Sequence, residues 1–475
     1  MASSKKVAII GAGVFGLSLA LALRRRGHQV TVFDQHRYDE TRYQPNDAEL
    51  VASADHNKIF RCSYGTKLHY QRLATESREA WLSIDKERGG TDDQLFVPSG
   101  MLRVQPSSTL SELEKETLAN MERDGFRDTQ FIKSDPGDYQ RAAVQGWHEK
   151  LLSFEIPDSP NHTSFEAVLD SLAGFTRCAN ACAHFQKLAE SEGVEFVFGA
   201  REGSFASILS EKTAQYSAEV PAKKKAVGIQ TQDGRNHRAD VVVVAAGAFS
   251  TQILPELSYH LESSAGSLAT FKIDPSDTHL WTKYSPEKFP VMTWKSVPRT
   301  KDGKDTGSVY VLPRTPEGLL KIGYRGIKYT NFQPAPDSTP FSQNGKWSIP
   351  LPPSECTSLQ ESARHAIRHF VTIFLPEFKD MPFCAEKLCW YTDTLDNSFL
   401  IDYVPAYAEN SVFVSTGGSG HGAKFMPVLG EHAADVFEHR DQSTTPMRPF
   451  WRWREDITRR NGLEEGPAGP RNIAS

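Results

Sequence analysis

The segment KVAIIGAGVFGLSLALALRRRGHQVTVFD, residues 6–34, constrains the fold more than any other part of the chain. A short β-rich run, KVAII, meets the glycine loop GAGVFG. Leu17 to Arg26 then carry a helical pattern closed by Gly27, and Val30 to Asp34 supply a second strand. Arg24, Arg25 and Arg26 fall where a helix C-terminus favours positive charge. Gly11, Gly13 and Gly16 hold the G-x-G-x-x-G spacing, and Asp34 follows eighteen residues after Gly16. The first glycine makes the tight turn and the second lets backbone approach a pyrophosphate. The third allows close helix-to-strand packing, and the helix N-terminus attracts the phosphate charge. In this strand–loop–helix–strand context the pattern reads as a dinucleotide site. The motif alone leaves NAD and FAD open. Its place at the N-terminus, followed by VVVVAAGAFS at 241–250, favours FAD, with Ala246 and Gly247 as a second small-residue approach to the nucleotide.

The same segment mimics a signal peptide, but three glycines interrupt its apolar run, no small-residue cleavage site follows, and HQVTVFD continues as a strand. No other segment approaches the ~20 apolar residues of a membrane span. The last residues, NIAS, are not a Ser-Lys-Leu address, so a cytoplasmic protein is expected, with the peroxisome left open. A net charge of -5 over 54 basic and 59 acidic residues leaves no basic surplus for a nucleic-acid backbone. Six cysteines without a CxxC pair read as reduced thiols. Cys178 and Cys182, at helical spacing with His184 nearby, read as core packing, and no metal is expected.

At 475 residues two interleaved domains are expected. The fold class is α/β, a doubly wound Rossmann-like FAD domain over 1–90, 166–261 and 386–475. An antiparallel-sheet substrate domain takes 91–165 and 262–385, where GSVYVLP and LLKIGYRG alternate. SEKTAQYSAEVPAKKK near 210–225 and the proline-rich 331–355 read as insertions or mobile loops, and the tail after Leu463 as disordered or draped over the surface.

Four further motifs occur in order: SADHNKIFRCSYG from Ser53, LLKIGYRG from Leu319, CWYTDTLDNSFLID from Cys389 and GGSGHGAKFMPVLGE from Gly417. Together with the glycine loop they resemble the monomeric sarcosine oxidases and their fungal relatives, the fructosyl amino acid oxidases and the saccharopine and pipecolate oxidases. The resemblance covers most of the chain. It implies an FAD-dependent oxidase acting on the C–N bond of a secondary-amine amino acid, with molecular oxygen as acceptor and hydrogen peroxide as product, working as a monomer. A fructosyl amino acid oxidase is the alternative, as is a biosynthetic oxidase or dehydrogenase whose imine product cyclises.

The resemblance also implies roles. Cys389 matches the cysteine that carries the flavin through an 8α-thioether. Lys321 matches the lysine that promotes the oxygen reaction, since a fixed cation stabilises the charge developing on oxygen. Arg61 and Lys424 match the groups that hold the substrate carboxylate. Arg325 stands where fructosyl amino acid oxidases have an acidic residue, and a guanidinium, which only donates, suits a carboxylate better than a polyol. Cofactor contacts are expected from Gly11, Gly13, Val14, Phe15, Gly16, Asp34, Gln35, Ser53, Asn57, Lys58 and Gly247, and from Cys389, Gly418, Gly420, His421, Gly422 and Lys424.

Overall fold

A computed structural model describes residues 4–40, 51–65, 67–89, 93–159, 161–212, 223–298, 306–337, 343–438, 446–460, 463 and 465–474. Strand β1 (Lys6–Ile10), helix α1 (Val14–Arg25) and strand β2 (Gln29–Asp34) form the βαβ unit read from the sequence. β1 lies at the centre of a six-stranded sheet ordered Leu400–Tyr403, Val412–Thr416, Val241–Val244, β1, β2, Glu195–Phe198. Every pair is parallel except the edge pair between Leu400–Tyr403 and Val412–Thr416. Alternation explains why KVAII and VVVV are apolar throughout. Val7, Ile9, Val241 and Val243 enter the core beneath α1, whereas Ala8, Ile10, Val242 and Val244 enter the core on the opposite face.

The C-terminal helix Met426–Phe437 crosses α1 closely. Ser18 Oγ donates to Met426 O at 2.6 Å and accepts from Gly430 N at 2.7 Å. A Cβ on Gly430 would lie 1.9 Å from Ser18 O. This contact brings the GGSGHGAK loop, some 400 residues away in sequence, against the first glycine loop. The ring of Phe15 then seats on Gly418 and Gly422.

The second layer is an eight-stranded sheet ordered Ala385–Thr394, Leu261–Lys272, Leu319–Tyr329, Thr306–Val311, Val291–Pro298, Met101–Val104, Ala167–Asp170, Gln130–Ile132. Its pairs are antiparallel apart from Val291–Pro298 with Met101–Val104. Helix Glu361–Phe374 covers one face with Ala363, Ala366, Ile367, Phe370, Val371 and Phe374, a 3-1-3-1-3 spacing that makes one apolar stripe. Two of its strands, Ala167–Asp170 and Ala385–Thr394, begin at the divisions expected at 166 and 386. Their ladder hydrogen bonds place both in the antiparallel layer, Cys389 included.

Both segments read as insertions contain paired strands. Phe205–Lys212 pairs with Lys224–Thr231, residues 213–222 lying outside the described residues, and Phe332–Pro334 pairs with Lys346–Ser348, with 338–342 likewise outside. The tail is draped and pinned: Thr330 N donates to Arg471 O at 3.0 Å and Ile473 N to Thr330 O at 2.8 Å. Among the described residues no helix is long and apolar enough to cross a membrane.

Candidate active site

One cavity of about 540 Å³ extends from the glycine loop to Cys389. It is lined by Gly11, Gly13, Val14, Phe15, Asp34, Gln35, Ser53, Asn57, Lys58, Arg61, Gly247, Arg325, Cys389, Gly418, Gly420, His421, Gly422 and Lys424, so that only Gly16 and Lys321 of the expected residues stand outside its wall. The nucleotide end is built of close backbone approaches. Gly11 has φ +107°, and an added Cβ would lie 2.6 Å from Ala245 O; at Gly13 it would lie 2.8 Å from Ser53 Oγ. Gly16 serves the packing role of a third glycine, its would-be Cβ falling 1.9 Å from Gly11 O. Gly247, at φ +53°, leaves open space. Asp34 ends β2, where Oδ2 accepts from Ala12 N at 2.8 Å and Oδ1 from His36 N at 3.1 Å. Burial raises its carboxyl despite those bonds.

At the other end Cys389 is 7% exposed, lines the cavity and sits opposite Gly266 in the ladder, where a Cβ would meet the Tyr391 ring at 3.5 Å. Lys321 approaches the same region from behind the wall. Its ammonium reaches both Asp55 oxygens at 2.9 Å and also donates to Asn57 O. Asp55 is shared with Lys58, whose Nζ lies 2.7 Å from Oδ2. Burial works against all three charges. The two ammonium groups still hold the Asp55 carboxyl well below the usual carboxylate range. Lys58 is raised because Asp55 outweighs its burial, whereas Lys321 is lowered by burial and by Lys58 together. The glycines of KIGYRG have a steric role. A Cβ on Gly323 would lie 2.1 Å from the Tyr310 ring and one on Gly326 2.1 Å from the Tyr324 ring, and both tyrosines line the cavity.

Removing one member of a buried ion cluster leaves the others uncompensated. Asp55→Asn is therefore expected to cost about 3–5 kcal/mol in denaturant melts, and a loss below about 1 kcal/mol would show that the cluster does not form. Because the folded carboxyl is held below its unfolded value of ~3.9, the Asp55 contribution is complete above that pH. It is lost only as the pH falls through the lower, folded value.

Between these ends lies a group of cations. Arg61 stands 4.5 Å from the centre of the Tyr64 ring and Lys424 5.0 Å from it. Lys424 Nζ donates to Tyr64 Oη at 2.8 Å, the Tyr64 hydroxyl meets His421 Nδ1 at 3.4 Å, and His421 Nε2 meets Asn397 O at 3.0 Å. The carbonyl of Asn397 can only accept, which assigns the proton to Nε2 and makes Nδ1 the acceptor from Tyr64. Burial, with Arg61 and Arg325 nearby, drives the Lys424 ammonium well below its ordinary value. Burial, with Lys424 nearby, likewise keeps His421 neutral. Arg325 lies against the glycine loop, donating to Gly420 O at 3.2 Å and Ser419 O at 3.3 Å, while its buried Nε has no partner.

Four contributors were not singled out in the sequence: Asp55, Tyr64, Lys295 and Tyr310. Asp55 and Tyr64 fall inside SADHNKIFRCSYG. Lys295 had a signal in VMTWK, where Met292 and Trp294 enter the core and Thr293 and Lys295 face the cavity. Lys295 is exposed to that space but surrounded by protein, which lowers its ammonium to about 8, with Arg61 adding to the effect.

Comparison with known proteins then decides the family. The profile of the DAO family, FAD dependent oxidoreductases, matches residues 6–436. The chain belongs to this family. It is an FAD-dependent oxidoreductase with a Rossmann-type domain. It is 29% identical over 463 residues to an L-saccharopine oxidase of Schizosaccharomyces pombe, covering 95% of this chain and 94% of that one. It is 24% identical over 446 residues to a monomeric sarcosine oxidase of a Bacillus species, covering 92% and 93%. Among solved structures, a modified fructosyl peptide oxidase from Aspergillus nidulans superposes with a TM-score of 0.74 at 23% identity, covering 99% of this chain and 98% of that one. At that identity the likeness shows the fold alone.

Proposed function

We propose that the protein is an FAD-dependent oxidase of the C–N bond of a secondary-amine amino acid, of the N-methyl amino acid, saccharopine or pipecolate type. The observation that carries this reading is the pair of cations Arg61 and Lys424 on one cavity that ends at Cys389. Among the described residues no carboxylate pairs with either, whereas Arg325 beside them has Tyr391 and Asp393 nearby, so the anion that matches Arg61 and Lys424 arrives with the substrate. The relatives named as oxidases of saccharopine and sarcosine support the same class.

The FAD site is assigned to the cradle of Gly11, Gly13, Asp34, Gly247 and the Gly418–Gly422 loop, with Cys389 as the covalent anchor. FAD held there would accept the two electrons and two hydrogens lost as the CH–NH unit of the substrate becomes an imine, the overall balance being amine, O2 and water to a carbonyl compound, a free amine and hydrogen peroxide. Arg61 offers a planar fork to the substrate carboxylate and Lys424 a second charge. An arriving anion restores the favourable surroundings that Lys424 lacks in the free protein. The same cations disfavour a proton on the substrate nitrogen, leaving the lone pair needed for oxidation. Lys321, tethered by Asp55, supplies the buried cation for the oxygen half-reaction.

Arg325 also bears on the substrate, since a group with donors only cannot accept from sugar hydroxyls. In a comparison of kcat/KM, sarcosine, other N-methyl amino acids, L-pipecolate or L-saccharopine is expected to exceed fructosyl-glycine and fructosyl-valine. A clear preference for the fructosyl compounds would overturn the assignment of Arg325 and leave the flavin chemistry standing.

A further inference from the structure

Lys424 stands at the end of a row of hydrogen bonds whose direction is set from the far end. Asn397 O, which can only accept, takes the Nε2 hydrogen of His421 at 3.0 Å. Asn397 is itself fixed, with φ 57° and its Oδ1 accepting from Lys328 Nζ at 3.1 Å. His421 then accepts at Nδ1, so the Tyr64 hydroxyl turns its hydrogen to the imidazole and leaves its oxygen to accept from Lys424 Nζ at 2.8 Å. A neutral amine that donates in this row keeps its lone pair for the cavity, which Lys424 lines. The backbone of Lys424 is pinned as well, its carbonyl accepting from Ser77 Oγ at 2.5 Å and Trp81 Nε1 at 2.8 Å.

The surroundings favour that neutral amine until an anion arrives. Lys424 is buried, with Arg61 and Arg325 as the cations acting on it and Lys67 adding positive charge beside His421. Cys62, also close to Lys424, is held protonated by burial. Among the described residues the carboxylates that line the cavity are Asp34 and Asp55. Asp34 belongs to the nucleotide end, and Asp55 already joins Lys58 and Lys321. A secondary-amine amino acid enters near neutral pH as a zwitterion, and its nitrogen must lose a proton before the lone pair is available for oxidation. Neither carboxylate is free to take that proton.

We infer that Lys424 is the base that takes the proton of the substrate ammonium, with Tyr64, His421 and Asn397 as positioning residues that aim its lone pair into the cavity. One N–H bond of the substrate breaks and one forms at Lys424 Nζ. The zwitterion becomes a free amine whose carboxylate faces Arg61 and the new lysine ammonium, which the carboxylate stabilises. No electrons move in this step, and the proton returns to the amine product when the imine is hydrolysed. This rests on the amine-oxidase reading above and supplies the proton acceptor that it requires.

The test counts protons apart from turnover. Butyrate brings the carboxylate without a proton. Its binding to the FAD-loaded protein, followed by the flavin spectrum, is expected to take up about one proton from solvent near about pH 8, read from the dependence of the calorimetric binding heat on the buffer. Lys424→Arg, which stays charged, is expected to bind butyrate and take up none. His421→Gln, whose amide can donate to Asn397 and accept from Tyr64, is expected to keep the uptake. His421→Leu frees the Tyr64 hydrogen to occupy the Lys424 lone pair and is expected to lower the uptake at least about twofold. General damage to the cavity would weaken butyrate binding and leave the protons per bound butyrate unchanged. No butyrate binding, no uptake in the unaltered protein, or uptake that survives Lys424→Arg, as it would if Lys295 were the acceptor, overturns the inference. Equal uptake in the two His421 variants overturns the positioning role. If the inference fails while a secondary amine still bleaches the flavin, the amine-oxidase reading stands. Uptake that follows Lys424, with no bleaching by sarcosine, L-pipecolate or L-saccharopine, would retain the base and remove that reading.

Discussion

Cys389→Ser is expected to lose all of its covalently held flavin, while the unaltered protein stays yellow after acid precipitation and carries an FAD-mass adduct on the peptide containing Cys389. The residue stands in the wall of the cavity, 7% exposed, on a strand whose ladder with Leu261–Lys272 fixes its direction. A thiolate is the nucleophile suited to an electrophilic carbon of the ring, and serine has no comparable acidity. The variant should still bind FAD reversibly, because the cradle at Gly11, Gly13 and Asp34 lies at the other end of the cavity. A colourless pellet from the unaltered protein, with all flavin in the supernatant, would refute the tether.

Lys321→Met is expected to slow reoxidation of the reduced flavin by oxygen about 10²–10³-fold, the scale on which removing one preorganised charge acts. Reduction by substrate should change far less. In the structure Lys321 is held from behind the cavity wall by Asp55 and Asn57, both of which line the cavity. Stopped-flow measurement of the two half-reactions separates the possibilities. Unchanged reoxidation with collapsed reduction would mean that Lys321 belongs to the other half-reaction. An equal fall in both, with a lowered Tm, would mean that it acts only through the Asp55 cluster.

Those two residues show how far the sequence could be read. The βαβ unit was legible because β1 and the strand Val241–Val244 bury both faces, which requires uninterrupted apolar runs. Gly11, Gly13 and Gly16 were legible from their spacing, and each meets backbone or a side chain at a distance no Cβ tolerates. Lys321 was less so. Alternation put it on one face of a strand, but its ion pair with Asp55 joins positions 266 residues apart, and no local pattern carries that pairing. The strand of Cys389 was assigned to the nucleotide side for a similar reason, since an apolar alternating run shows which face is buried and not which strand it pairs with. Lys295 shows the same limit from the other direction. VMTWK showed a side chain facing away from the core, and only the folded sheet placed that face on the cavity of Arg61 and Lys424.

The proposed activity requires electrons to leave a secondary amine for the bound flavin, and anaerobic mixing observes that step without the oxygen reaction. The FAD-loaded protein would be mixed without oxygen with L-saccharopine, sarcosine, L-pipecolate and fructosyl-glycine, and air then admitted. Bleaching of the oxidised flavin by at least one of the first three is expected, followed on aeration by recovery of colour and release of hydrogen peroxide equal to the carbonyl product. No bleaching by any secondary amine, or bleaching that air does not reverse with peroxide release, would contradict it.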